Sequence, residues 1–100
     1  MILFEWDAKK AAGNRRKHGI TFDDAAQVFD DPFALAEQDR FEGGEYRWRI
    51  IGNCKGIVIL FVAYTVNEEG QDEIIRIISA RRASRKERTR YEQNRKEDLG

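Results

Sequence analysis

Apolar positions along this chain follow two periods, and the change between them divides it into elements. Phe22, Ala25, Ala26 and Phe29 recur at i, i+3, i+4 and i+7, the spacing of one helix face, with Thr21 and Asp24 approximating a capping box and Pro32 as the stop. Upstream, Asp7 and Gly19 bracket a polar, Ala- and Lys-rich run as N-cap and C′ residues of a helix from about Ala8 to His18. Only Ala8, Ala11 and Ala12 give it an apolar stripe, and Gly13 costs about 1 kcal/mol relative to alanine. Such a helix depends on tertiary contacts, for which Trp6 is one source.

After Pro32 the period becomes two, weakly over Phe33 to Asp39 and clearly over Glu45 to Gly52, where Tyr46, Trp48 and Ile50 alternate with Arg47, Arg49 and Ile51. One side of that strand is aromatic and the other cationic. Turn signals at Asn53-Cys54-Lys55-Gly56 and Asn67-Glu68-Glu69-Gly70 flank Ile57 to Val66, a continuous apolar run that reads as a central strand buried on both faces; Glu73 to Ala80 follows as another strand. Turns this short favour an antiparallel meander over crossover connections. Ser84 and Glu87 form a capping box opening a last helix to about Asn94 or Arg95, whose one large apolar residue is Tyr91. The predicted fold is a single α+β domain over residues 1–100: a short strand, two helices, an antiparallel four-stranded meander and a C-terminal helix. The helices are expected on one face of the sheet, and residues 93–100 as a disordered tail.

Composition narrows the function. One hundred residues support one modest core. A single cysteine, Cys54, and a single histidine, His18, exclude an internal disulfide and a Cys/His zinc site; a carboxylate-held magnesium site stays open in principle, but no acidic pair has a recognisable spacing, and no metal or cofactor is expected. The longest apolar stretch is too short to span a bilayer, and the N-terminus meets Glu5 and Asp7 before it resembles a signal peptide, which points to the cytoplasm with no membrane contact. Eighteen Lys and Arg balance eighteen Asp and Glu, but the charges are segregated. Lys9 to His18 holds five basic residues and no acid, Ile20 to Glu45 holds eight acids against Arg40, and Ile74 to Lys96 holds nine basic residues against Glu87 and Glu92. A neutral chain ordered this way can show a basic surface to a polyanion.

Nucleophilic triads and nucleotide loops find no support: Ser79 and Ser84 lack an elbow motif, and Gly43-Gly44 is not followed by Gly-Lys-Ser/Thr. What remains is arginine on strands and strand ends, at Arg47, Arg49, Arg76, Arg81 and Arg82. Its planar guanidinium fits phosphate oxygens in a bidentate way that lysine does not match. Each taken alone is adequately explained by pairing with Glu45, Glu73 or Glu87; several on adjoining strands favour a phosphodiester. Metal-free RNA cleavage would use arginines to stabilise charge on the phosphate and other groups to move protons, with His18, Glu45, Tyr64 and Tyr91 as candidates. His18 equally suits a helix C-terminus, Tyr64 a core and Tyr91 an anchor for the last helix. Trp48 is a candidate for base stacking, though aromatics at period two are usually core. A non-catalytic RNA-binding or regulatory module with the same basic face is the alternative.

Phe4-Glu5-Trp6-Asp7, Asn14 with Lys17-His18-Gly19-Ile20, Val28-Phe29-Asp30-Asp31-Pro32, Glu45 with Arg47-Trp48, and Ile75 to Ala83 with Glu87-Arg88 and Tyr91 resemble the BrnT family of ribonuclease toxins from type II toxin-antitoxin systems. The resemblance implies a RelE-like fold, metal-independent RNA cleavage that inhibits translation, and neutralisation by a ribbon-helix-helix, BrnA-type antitoxin, through which the complex would reach operator DNA. It implies Arg47, Arg76, Arg81 and Arg82 as phosphate contacts and His18 and Glu45 as proton-transfer groups. RNA-binding roles are expected for Lys9, Lys17, Arg49, Trp48, Tyr64 and Tyr91. An acidic segment of the antitoxin is expected to cover the arginines.

Overall fold

The computed structural model describes residues 1–99. Its elements run β1 (Ile2–Glu5), α1 (Ala8–His18), α2 (Phe22–Gln27), a 3₁₀ turn (Val28–Asp30), β2 (Leu35–Glu42), β3 (Glu45–Cys54), β4 (Val58–Glu69), β5 (Asp72–Arg82) and α3 (Arg85–Leu99). The expected caps are present. The Asp7 carboxylate accepts from the Lys10 N–H at 3.0 Å, Gly19 turns left-handed at φ 72° with its N–H on the Arg15 carbonyl, and the Thr21 hydroxyl accepts from the Asp24 N–H at 3.1 Å. Ser84 and Glu87 cap each other reciprocally, at 2.8 and 3.2 Å. The final helix runs beyond the boundary expected near Arg95, through Leu99; of the 93–100 segment, Gly100 lies outside the described residues.

The sheet departs from expectation in composition and direction. It has five strands in the order β1-β5-β4-β3-β2 and is mixed, not a four-stranded antiparallel sheet: β2 to β5 form the meander, and β1 pairs parallel to β5 with Phe4 opposite Ile75 and Glu5 opposite Arg76. Chain direction explains this, since β1 is followed by helices and not by a hairpin, so nothing forces it antiparallel to its neighbour. The expected turn at Asn67–Gly70 also moves. Pairing continues through Glu68–Glu73 and Glu69–Asp72, leaving Gly70 and Gln71 as a tight hairpin loop with Gly70 at φ 62°.

The helices do not share one face. On one side α1 and α2 cover a core of Phe22, Ala25, Val28, Ile50, Leu60, Val62, Tyr64, Ile75, Ile77 and Ala80, with Trp6 and Trp48 packed against it. On the other, α3 covers a smaller cluster of Ile51, Ala83 and Tyr91 with Phe33, Ile59 and Phe61. Tyr91 supplies that docking, as its hydroxyl donates to Asp31 at 2.6 Å, and the same Asp31 carboxylate accepts the N–H groups of Phe33 and Asn53. Gly52 lets β3 pass beneath the 3₁₀ turn: a Cβ there would stand 2.7 Å from Val28 Cγ1 and 3.1 Å from the Ala34 Cβ.

β1 covers the outer edge of β5 only from Glu73 to Arg76, and further along Asn14 takes the place of a neighbouring strand. Its buried carboxamide accepts from the Ala80 N–H at 3.0 Å and donates to the carbonyls of Ala80 at 2.8 Å and Ile20 at 3.0 Å. Those bonds hold a helix with almost no apolar stripe. Asn14→Ala leaves three buried backbone groups unpaired, and we expect a loss of about 2–4 kcal/mol in urea unfolding with the m-value unchanged. A loss under about 1 kcal/mol would show that water satisfies these groups equally well.

Candidate functional site

Strand alternation sorts the arginines. Ile51 lies in the cluster under α3 and Ile50 in the opposite core, so Glu45, Arg47 and Arg49, in step with Ile51, face the α3 side. On β5, Ile75 and Ile77 face α1 and α2, which turns Arg76 to the α3 side. Arg81 is five positions from Arg76 and would emerge on the opposite face of a regular strand. Between Tyr64–Ile77 and Ala63–Ser79 the register shifts, giving β5 one extra residue at Ile78. That bulge reverses the phase, and Arg81 reaches the α3 side, its guanidinium 4.1 Å from the Phe61 ring centre.

The structure therefore brings Glu45, Arg47, Arg49, Arg76 and Arg81 to one face, half-covered by α3. Arg76 is paired with Glu45, each side chain a little over two-fifths exposed. Arg81 makes a bidentate pair with Glu87 at 2.8 and 3.0 Å. Hydrogen bonding to Glu87 raises the Arg81 pKa, and the reciprocal bond, opposed by desolvation, holds the Glu87 carboxyl below its ordinary 4.5. Arg47 and Arg49 are held more loosely: Arg47 Nε lies 3.8 Å from Glu42, and Arg49 lies 3.9 Å from Glu37 and 3.8 Å from Asp39. The buried Nε atoms of both have no hydrogen-bond partner among the described residues. This is a surface of fixed cations with carboxylates at their edges, suited to binding a phosphate and accepting a proton beside it.

Other expected site residues lie elsewhere. His18, Lys9 and Lys17 are on α1, which packs on the opposite face. Arg82, one residue past Arg81, is opposite Leu60 and so faces that side too. Trp48 packs with the α1–α2 core because it alternates with Arg47 and Arg49. Tyr64 is 5% exposed and meets Phe29 edge-on at 4.9 Å, and burial raises its hydroxyl pKa. Tyr91 is 1% exposed and tied to Asp31, with its pKa raised chiefly by burial, so neither tyrosine offers an open ring face to a base. Sequence reasoning missed Glu37, Arg90 and the second duty of Glu87; Arg90 pairs with Glu37 across the gap between α3 and β2. The capping box marked Glu87, while nothing in the sequence brings position 90 to β2. Among the described residues no three His, Cys, Asp or Glu side chains are grouped as metal ligands.

Fold and site define a small α+β domain with an arginine–carboxylate face on a mixed five-stranded sheet. Its architecture matches the crystal structure of the Brucella abortus ribonuclease toxin, BrnT, at a TM-score of 0.57 and 26% identity, over 85% of this chain and 99% of that one. The family described as the ribonuclease toxin, BrnT, of type II toxin-antitoxin systems matches residues 6–87. Comparison with curated proteins gives no match. The chain belongs to the BrnT ribonuclease toxin family.

Because the folded-state pKa of Glu87 is depressed, its stabilisation is full above the unfolded value and is lost as pH falls through the folded one. Glu87→Gln should be less stable than wild type by a constant margin near neutral pH, and that margin should shrink below about pH 4.5. Urea midpoints across pH 3–7 measure this, and a margin independent of pH would remove the ion pair as its cause.

Proposed function

We propose that this protein is a metal-independent endoribonuclease of the cytoplasm, built as one domain, that cleaves RNA through its own 2′-hydroxyl and thereby inhibits translation. The contact between Glu45 and Arg76, with Arg47 on the same face, carries the reading. An acid and a cation that touch across the open end of the sheet can serve a 2′-hydroxyl and its adjacent phosphate together.

In this mechanism the Glu45 carboxylate takes the 2′-hydroxyl proton as the 2′-oxygen bonds to phosphorus. Arg76 and Arg47 hold the non-bridging oxygens as negative charge builds there, and Arg81, fixed by Glu87 and Phe61, extends the cationic surface. The bond from phosphorus to the 5′-oxygen breaks, and that oxygen takes a proton from solvent on the exposed face. The products are a 2′,3′-cyclic phosphate and a 5′-hydroxyl. His18 and Arg82, on the other side of the sheet, have no part in this step. The neutralising partner is a ribbon-helix-helix, BrnA-type antitoxin whose acidic segment covers the arginine face and through which the pair reaches operator DNA.

Purified protein should cleave RNA in EDTA and leave 2′,3′-cyclic ends. Arg76→Ala and Glu45→Gln should each lower the rate by about 10²-fold or more, while Arg82→Ala lowers it far less. RNA that is bound but never cut, with affinity falling steeply in salt, would identify a binding module instead.

A further inference from the structure

We infer that this face carries a second nucleotide subsite, where Arg49 and Arg90 hold a phosphate and the cleft between β2 and α3 receives the attached base. This inference rests on the RNA-cleavage reading above and names the part of the site that selects the substrate. Glu37, Arg49, Ala63 and Ser79 are direct partners on β2, β3, β4 and β5, forming one row straight across the sheet. Arg47 and the Thr65–Arg76 pair lie on the hairpin side of that row; on its other side, Ile51, Phe61 and Arg81 are paired beneath α3. Small side chains at Ala63 and Ser79 leave the row as the floor of a trough, with α3 as one wall.

Glu87, Arg90, Tyr91 and Asn94 recur at i, i+3, i+4 and i+7, which carries α3 across the trough from β5, where Glu87 holds Arg81, to β2, where Arg90 meets Glu37. At that far end Arg49 and Arg90 converge on the single Glu37 carboxylate. Two guanidiniums sharing one partly exposed carboxylate form a bidentate phosphate site once the acid is displaced, and Arg49, 3.9 Å from Glu37, is the less tightly paired of the two. Arg90 also lines a cleft of about 230 Å³, together with Leu35, Gln93, Asn94 and Glu97. Leu35 gives it an apolar wall for a base, and the Gln93 and Asn94 carboxamides each offer a donor and an acceptor to a base edge. Arg49 and Arg76 stand two strands apart and two residues out of step along the sheet, about 12 Å, so the subsite serves a neighbouring nucleotide and not the scissile phosphate.

The test compares a dinucleoside monophosphate, too short to fill both places, with a longer single-stranded oligonucleotide. Arg90→Ala should raise KM for the oligonucleotide about tenfold more than for the dinucleotide, with a smaller change in kcat, and Asn94→Ala should alter which bases flank the cut. Equal effects on both substrates, or none on either, overturn the subsite while leaving the cleavage reading intact. A 2′-O-methyl oligonucleotide, which cannot be cut by this chemistry, separates the two ideas by NMR. Shifts at Arg90 and the Asn94 side-chain amide without cleavage of ordinary RNA would support the subsite and remove the catalytic assignment. Shifts confined to Arg76 and Arg81, or no binding, would overturn the subsite.

Discussion

Everything in this domain follows from β4 lying at the middle of the sheet with apolar residues on both sides. Leu60, Val62 and Tyr64 point one way and Ile59 and Phe61 the other, so neither face can be left to water. α1 and α2 with the 3₁₀ turn cover one side almost completely. The other side receives a single helix with one large anchor, Tyr91, and that helix packs its apolar contacts over the Ile51–Phe61 end of the sheet. Where cover stops, alternation continues, and positions that would otherwise have to be apolar hold arginine. Incomplete cover and the arginine face are thus one feature, since a second helix there would bury the guanidiniums it displaced from water.

The α3 face is assembled by devices that also serve stability. Glu87 completes the cap of α3 and at the same time fixes Arg81 against Phe61, so the start of the helix and the position of a cation are set together. The bulge at Ile78 matters in the same way. Without it Arg76 and Arg81 would lie on opposite faces, and the Ala80 edge would not meet Asn14 as it does. Shifting phase within β5 lets one strand supply core residues to α1 and cations to the open side along its whole length.

Much of this was legible where the signal is local. Caps at Asp7, Gly19, Thr21 and Ser84–Glu87 mark helix starts and stops because they depend on residues within one turn. Alternation in β3 already separates Arg47 and Arg49 from Trp48, so an aromatic and its cationic neighbours on one strand belong to opposite faces. Long-range pairings were not legible. The parallel seat of β1, the side chosen by α3 and the facing of α1, which takes His18 away from Arg76, depend on which surfaces meet and not on the sequence of either. The bulge has no local mark either, because Ile78 is as apolar as its neighbours.

The zero net charge of the chain acquires a meaning on this face. Nearly every arginine there has a carboxylate within 4 Å: Arg76 has Glu45, Arg81 has Glu87, Arg47 has Glu42, and Arg49 and Arg90 share Glu37. Exposed pairs of this kind contribute only about 0–1 kcal/mol each, so holding the guanidiniums this way adds little stability, yet it keeps them extended along the surface. In the proposed function a phosphate replaces those acids at small cost and gains cations already in place. The acids of β2 and the β2–β3 hairpin are then what keeps a row of arginines ordered without making the domain a general polyanion binder, which a chain of the same fold with a large positive charge would become. In that proposal Glu45 differs from the others because, once displaced from Arg76, it would remain beside the phosphate as the carboxylate that takes the proton.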